Sequence, residues 1–180
     1  MTEQKLMSRI AFRGMALWLR LRERFQDPEK RLADARLETG QTVLDYGCGI
    51  GSYTIPAAKM VGRSGTVYAL DIHPSALEAT EERARRGQLG NIRTILSGLD
   101  TGLQGNTVDV VLLYDVLHAV QDRQALLREL HRVLKPGGKL SILPDHMAGD
   151  EVERILTSER LFNLKRRHGE IFEFNRTAAT

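Results

Sequence analysis

Apolar positions along the chain follow two rhythms. Over residues 3–26, Met7, Ile10, Gly14, Leu17 and Leu21 form one stripe, widened by Ala11, Met15, Trp18 and Phe25 and bordered by Lys5, Arg9, Arg13, Arg20 and Arg24. That spacing predicts an amphipathic helix. Asp27-Pro28 breaks it, and Pro28 suits the first turn of a shorter helix running to about Leu37. Beyond it the rhythm changes to short β-rich runs, Thr42–Asp45, Thr66–Asp71, Ile92–Ser97, Val108–Tyr114 and Gly138–Leu143, alternating with helical patterns over 52–60, 75–87 and 121–134. The last helix carries Leu126, Leu127, Leu130, Val133 and Leu134 on one side, and Pro136-Gly137-Gly138 stops it. Leu161–Lys165 and Ile171–Asn175 read as a closing antiparallel hairpin, with Lys165-Arg166-Arg167-His168 at its solvated tip. Strand–helix–strand repetition builds a mostly parallel sheet with helices on both faces, an α/β doubly wound architecture.

Composition narrows the classes. With 180 residues the chain is long enough for one well-buried domain, divided here into an N-terminal helical extension over 1–38 and a body over 39–180. One cysteine, Cys48, cannot form an internal disulfide, so a reducing, cytoplasmic setting is the expectation. The longest apolar run, Val110–Tyr114, is far too short for a membrane span, and arginines interrupt the N-terminal stretch where a signal core would lie. A net charge of +3 gives no argument for nucleic acid.

The chemistry concentrates in Val43-Leu44-Asp45-Tyr46-Gly47-Cys48-Gly49-Ile50-Gly51-Ser52-Tyr53-Thr54. A strand enters this stretch and a helix leaves it, and glycines at 47, 49 and 51 allow a tight turn and close approach of a ligand. Ser52 stands where a dinucleotide fingerprint wants its third glycine. Asp45 puts a carboxylate at the strand tip, awkward for a pyrophosphate and suited to a cation. Asp71, 20 residues after Gly51, ends the next strand, where a carboxylate can accept both hydroxyls of a ribose. Together they describe a nucleoside carrying positive charge.

These stretches, with Val67–Asp71, Val108–Tyr114 and Leu127–Leu143, resemble the ordered motifs of class I S-adenosylmethionine-dependent methyltransferases. Among these they are most similar to the small enzymes grouped with ubiquinone/menaquinone biosynthesis. The resemblance covers about residues 30–145 and implies a Rossmann-like sheet of seven strands, the last pair an antiparallel hairpin. It implies that Gly47, Gly49 and Gly51 line the methionine part of S-adenosyl-L-methionine, with Asp45 near its amino group. Cys48, a small space-filler between two glycines, and Tyr53 are counted in the cofactor site. Asp71 would hold the ribose, Ile72 would lie against the adenine, and Tyr114 would border the site from the fourth strand. In Ser97-Gly98-Leu99-Asp100, Gly98 stands where the family usually has an acid for the adenine amino group. Either Asp100 substitutes for that acid or backbone groups of Leu99 read the base.

Methyl transfer from a sulfonium needs mainly positioning and shielding from water, and a general base only where the nucleophile starts protonated. Asp115 and His118 after the fourth strand and His146 after the fifth are the catalytic candidates, histidine because it titrates nearest neutrality. Asp115 and His118, three apart, share a face if a helical turn starts at Asp115. A divalent ion between Asp115, Asp145 and His146 is the lesser alternative, and no metal is assigned. The fourth-strand segment Leu113-Tyr114-Asp115-Val116 lacks the paired prolines with an aromatic of amino-group methylases acting on adenine or glutamine. The expected acceptor is therefore a small, partly apolar molecule. The N-terminal helix is expected as a lid over the site, with peripheral membrane contact a minor option. A nicotinamide-dependent oxidoreductase of similar fold and a non-catalytic nucleoside-binding module are the competing readings.

Overall fold

The structure, a computed structural model, describes residues 27–144 and 147–178 together with Gly14, Ala16 and Leu21. The helix expected over 3–26 therefore lies almost wholly outside the described residues. Ala16 is helical and packs against Ile50 and Ala76. Helix α1, Pro28–Ala33, starts where Asp27 accepts from the N–H groups of Glu29 and Lys30. It stops short of Leu37 because Ala35 and Arg36 bond back three residues, to Leu32 and Ala33, and Arg36 takes φ 45°. Leu32 and Ala35 are buried against Val43 and Val61, which joins this helix to the domain body.

From there the chain runs β1 (Thr42–Tyr46), α2 (Thr54–Val61), β2 (Thr66–Asp71), α3 (Pro74–Arg86), β3 (Ile92–Leu96), β4 (Val108–Tyr114), a 3₁₀ turn (Leu117–Ala119), α4 (Arg123–Val133), β5 (Leu134–Leu143), α5 (Gly149–Thr157), β6 (Phe162–His168) and β7 (Ile171–Arg176). The seven strands form one sheet in the order β3-β2-β1-β4-β5-β7-β6. β1 to β5 pair in parallel, and β7 runs antiparallel to both β5 and β6. This is the doubly wound, Rossmann-like sheet with its antiparallel hairpin that the alternation of runs predicts. Strand order reverses between β1 and β4, so a crevice opens at the carboxyl end of β1.

Strand alternation divides the core in two. Leu44, Val111, Leu113, Leu140 and Ile142 face α4 and α5, meeting Leu126, Leu130, Val152 and Leu156. Val43, Val110, Leu112 and Tyr114 face the other way, onto Leu32 of α1 and Ala57 and Val61 of α2. α3 covers β2 and β3 through Ala76 and Leu77. Among the described residues no helix is long and apolar enough to cross a membrane.

Three expectations need correction. The Pro136-Gly137-Gly138 stretch does not lie between helix and strand: Leu134 pairs with Val108 directly after α4, and the pairing resumes at Lys139↔Val110. Gly137 takes φ 79°, and a Cβ on Gly138 would lie 2.9 Å from the Lys135 carbonyl oxygen, so the glycines serve an irregularity inside β5. Lys165–His168 is strand, not tip; the turn holds only Gly169 and Glu170. Glu173 is the reason, being 4% exposed and bound by Arg166 at 2.7 Å and Lys165 at 3.0 Å. Burial alone would raise the Glu173 pKa, but the bonds from Lys165 and Arg166 reverse that and hold it below its ordinary value. α5 has no counterpart in the expected elements, although Val152, Ile155 and Leu156 are spaced for a buried helical stripe.

Phe174, fully buried in β7 between β5 and β6, anchors the α4–α5 side of the core. Phe174→Ala is expected to cost about 3–5 kcal/mol in urea denaturation. A loss below about 1 kcal/mol would remove it from the core.

Candidate functional site

The turn after β1 is built almost wholly from backbone. Gly47 and Cys48 both donate their N–H to the Leu70 carbonyl, at 2.8 and 2.9 Å, and Gly51 N–H returns to Cys48 O at 2.8 Å. Gly47, Gly49 and Gly51 take φ of 78°, 53° and 79°, the left-handed region where a side chain is strained. Space demands glycine as well: a Cβ on Gly47 would lie 2.6 Å from Val116 Cγ2, and one on Gly51 3.0 Å from Thr80 Oγ1. Helix α3 grips the turn from outside, with Thr80 Oγ1 donating to Gly49 O and Arg83 Nη1 to Ile50 O, each at 3.1 Å. Thr80 and Arg83 are functional supports that sequence reasoning missed. Their spacing marks an ordinary helix face, and nothing in it points back to the turn.

Asp71 ends β2, as the spacing predicted, and there it is joined to this turn. One carboxylate oxygen accepts from Gly49 N–H and the other from His73 N–H, both at 2.9 Å. His73 is thus the residue that starts α3. Each oxygen keeps a second lone pair, so the fixed carboxylate can still accept from a pair of vicinal hydroxyls.

Asp45 is only 2% exposed, and its Oδ2 accepts from Thr54 Oγ1 at 2.5 Å. Burial pushes its pKa up to about 7; the Thr54 bonds oppose this and the Asp71 charge adds to it. Among the described residues no cation pairs with Asp45, so a cation arriving at the turn would favour its charged form. Thr54, at the start of α2, has no signature in the sequence beyond its place after the glycines.

The remaining candidates divide. Cys48 turns its side chain onto Ala69 and Leu77 with Sγ 3.9 Å from Thr80 Oγ1, and burial raises its thiol pKa well above the ordinary value. Only its backbone belongs to the turn. Tyr114 is a core residue whose hydroxyl bonds Ser141 Oγ at 2.8 Å, and its ring meets Tyr53 edge-on with centroids 4.7 Å apart. Half-buried Tyr53 lies between that core and the turn, and half-buried Ile72 follows Asp71. In the loop after β3 the Gly98 carbonyl accepts from the Tyr46 hydroxyl, and Leu99 is 38% exposed. Asp100 Oδ1 accepts from Gly102 N–H at 2.9 Å, within its own loop. Thr101 donates its N–H and its hydroxyl to Glu129 Oε1, at 3.0 and 2.6 Å. The Arg132 bond, opposed by burial and assisted by Thr101, draws the Glu129 pKa down to about 2.

Asp115 does not begin a helical turn. Its N–H extends the strand pairing to Leu143 O at 2.9 Å, its φ is 56°, and the 3₁₀ turn starts only at Leu117. Asp115 and exposed His118 therefore do not share a helical face. His146, with Asp145, lies outside the described residues, and among the described residues no group of three or more His, Cys, Asp or Glu could hold a metal ion. A cavity of about 440 Å³ between α4 and α5 is lined by none of these residues.

Comparison with known proteins adds an independent line. Residues 44–142 match the family model described as a methyltransferase domain. A demethylmenaquinone methyltransferase of Geobacillus sp. (strain WCH70) is 34% identical over 77% of this chain and 56% of its own length. A ubiquinone/menaquinone biosynthesis C-methyltransferase of Enterobacter sp. (strain 638) is 38% identical over 58% of this chain and 42% of its own. The chain thus spans about half the length of these curated relatives. A crystal structure of a SAM-dependent methyltransferase from Aquifex aeolicus aligns with TM-score 0.72 and 31% identity, over 82% of this chain and 87% of that one. A structure from Methanococcus maripaludis, 17% identical, aligns over 100% of this chain and 99% of that one with TM-score 0.80, and shows the fold alone.

Because the folded protein holds the Asp45 proton more tightly than the unfolded chain does, the contribution of Asp45 to wild-type stability should fall as pH rises from about 4 to about 7. Asp45→Asn lacks that titration. Its stability relative to wild type should grow by on the order of 3 kcal/mol across the same range, read by urea denaturation at each pH. Parallel profiles for the two proteins would show that Asp45 titrates normally.

Proposed function

The chain belongs to the methyltransferase-domain family, of the class I S-adenosylmethionine-dependent kind, and from that premise we propose that it transfers a methyl group to a small, partly apolar acceptor. The observation that carries this reading is the joining of Asp71 to the glycine turn through Gly49 N–H, with Asp45 at the foot of the same turn. A nucleoside fits this arrangement because a fixed carboxylate with spare lone pairs meets ribose hydroxyls. A cationic amino acid moiety fits because Asp45 gains charge when a cation approaches. The cofactor supplies its own electrophile, a methyl carbon on a sulfonium.

The protein's part is then placement. Gly47, Gly49 and Gly51 let the backbone come close, Asp71 orients the ribose, and Ile72 and the Gly98–Asp100 loop border the base. In this reading Leu99 backbone groups meet the base, with the Asp100 carboxylate beside them on the Gly102 N–H. Val116, packed against Gly47, and half-buried Tyr53 offer apolar side-chain surface beside the turn, which supports a partly apolar acceptor. The names of the curated relatives make a quinone-related ring the leading acceptor class. Asp115, held in the left-handed region at the end of β4, is the group we assign to orient the acceptor or receive its proton, with His118 in the same loop and His146 after β5 as further bases. The N-terminal helix expected over 3–26 is assigned as the cover of the site, supported by Ala16 lying against Ile50 beside the turn, while α1 packs into the domain body. Both the match to the methyltransferase domain and Asp45 beside the turn favour methyl transfer over hydride transfer.

Calorimetric titration with S-adenosylmethionine, S-adenosylhomocysteine and NAD in parallel tests the cofactor. The two sulfur nucleosides should bind and NAD should not, and preference for NAD would overturn the reading. Asp71→Ala should weaken S-adenosylmethionine by about 1–3 kcal/mol, and unchanged affinity in the folded variant would remove the ribose role. Radiolabel from the S-adenosylmethionine methyl should appear in a demethylated naphthoquinol, and Asp115→Asn should slow that transfer without weakening cofactor binding.

A further inference from the structure

Tyr46 follows Asp45 in β1 and so points to the opposite face of the sheet. Asp45 meets Thr54 of α2, while the Tyr46 ring, 4% exposed, packs among the residues that face α4. From there its hydroxyl reaches the Gly98 carbonyl in the loop after β3. β2 lies between β1 and β3, so this single bond ties the strand of the glycine turn to that loop across an intervening strand.

The loop is held at several points: Ser97 N–H on the Asp71 carbonyl at 3.1 Å, Tyr46 at Gly98, Glu129 at Thr101 and Arg132 on the Leu103 carbonyl at 2.9 Å. Of these, Tyr46 holds the Gly98–Leu99 peptide itself. Burial raises the Tyr46 pKa to about 12, and the charges of Asp71 and Glu129 add to the rise, so the phenol remains a donor throughout the working range. No peptide bond among the described residues is cis. In a trans peptide the C=O of Gly98 and the N–H of Leu99 point in opposite directions. With the carbonyl drawn inward to Tyr46, the Leu99 N–H is turned outward, beside a residue 38% exposed and a glycine that has no side chain to screen it.

We propose that Tyr46 is a positioning residue for base selectivity, fixing the Gly98–Leu99 peptide so that its outward N–H meets a ring-nitrogen acceptor of the bound purine. The inference rests on the nucleoside cofactor proposed above. Adenine has an acceptor at N1, whereas hypoxanthine carries a proton there. A main-chain donor held in place therefore separates the two bases, and one free to turn does not.

The test is calorimetry with S-adenosylhomocysteine and its deaminated analogue, S-inosylhomocysteine. Wild type should prefer the adenine compound. Tyr46→Phe keeps the buried ring and should weaken S-adenosylhomocysteine about five- to tenfold while leaving S-inosylhomocysteine unchanged, so that the preference shrinks by the same factor. Leu99→Pro removes the N–H from an exposed loop and should erase the same preference without touching the core. Asp71→Ala, acting on the ribose, should weaken both compounds alike. The inference fails if Tyr46→Phe leaves S-adenosylhomocysteine affinity unchanged, or if it weakens both compounds equally, as a purely structural role would. A wild-type protein that binds neither compound removes the cofactor reading itself, and the inference with it.

Discussion

The carboxylate of Asp71 receives Gly49 N–H on one oxygen and His73 N–H on the other, and the upper edge of the molecule is organised around that pair of bonds. One bond fixes the glycine turn that follows β1, and the other fixes the first turn of α3. α3 then returns to the glycine turn through Thr80 and Arg83. The result is a closed circuit of hydrogen bonds through β1, β2 and α3. Bonds to an ionised acceptor are stronger than neutral ones, so the charged group sits where the most backbone must be held. The same carboxylate that orders the turn faces the nucleoside in the proposed function, which makes folding and binding draw on one side chain.

The two faces of the sheet divide the remaining labour. Toward α1 and α2 lie Asp45, Thr54 and the edge-on pair of Tyr53 and Tyr114. Toward α4 lie Tyr46 and, beyond it, Glu129 with Thr101 and Arg132. The period-two geometry of β1 sends neighbouring residues to these separate environments. Asp45 meets burial with no cation beside it among the described residues and its acidity falls, while Tyr46 meets burial and two carboxylates and keeps its proton.

Much of this was legible in the residues. β2 and β4 fall on the expected bounds because their apolar runs are continuous and end at a charged or loop residue. The glycine turn and Asp71 were legible because turn chemistry and spacing are local. What escaped depends on contacts between distant segments. Lys165–His168 looks solvated until Glu173 is seen beneath it, and the partner stands in the next strand. The Pro-Gly-Gly stretch looks like a helix stop until Leu134 is seen already paired with Val108. Asp115 and His118 share a helical face only if the turn starts at Asp115, and pairing with Leu143 holds Asp115 in the strand instead. Thr54, Thr80 and Arg83 carry no local mark at all, since their roles arise from where the helices dock.

The grip of α3 on the glycine turn also has an entropic side. A glycine-rich segment left alone would sample many conformations, and ordering it around a ligand would subtract from affinity. Here Thr80 and Arg83 have already removed that freedom when the chain folds. A ligand bound at this turn, as proposed above, would meet a cradle whose shape precedes it, with the conformational cost charged to the folding of the domain, where a large buried core can carry it.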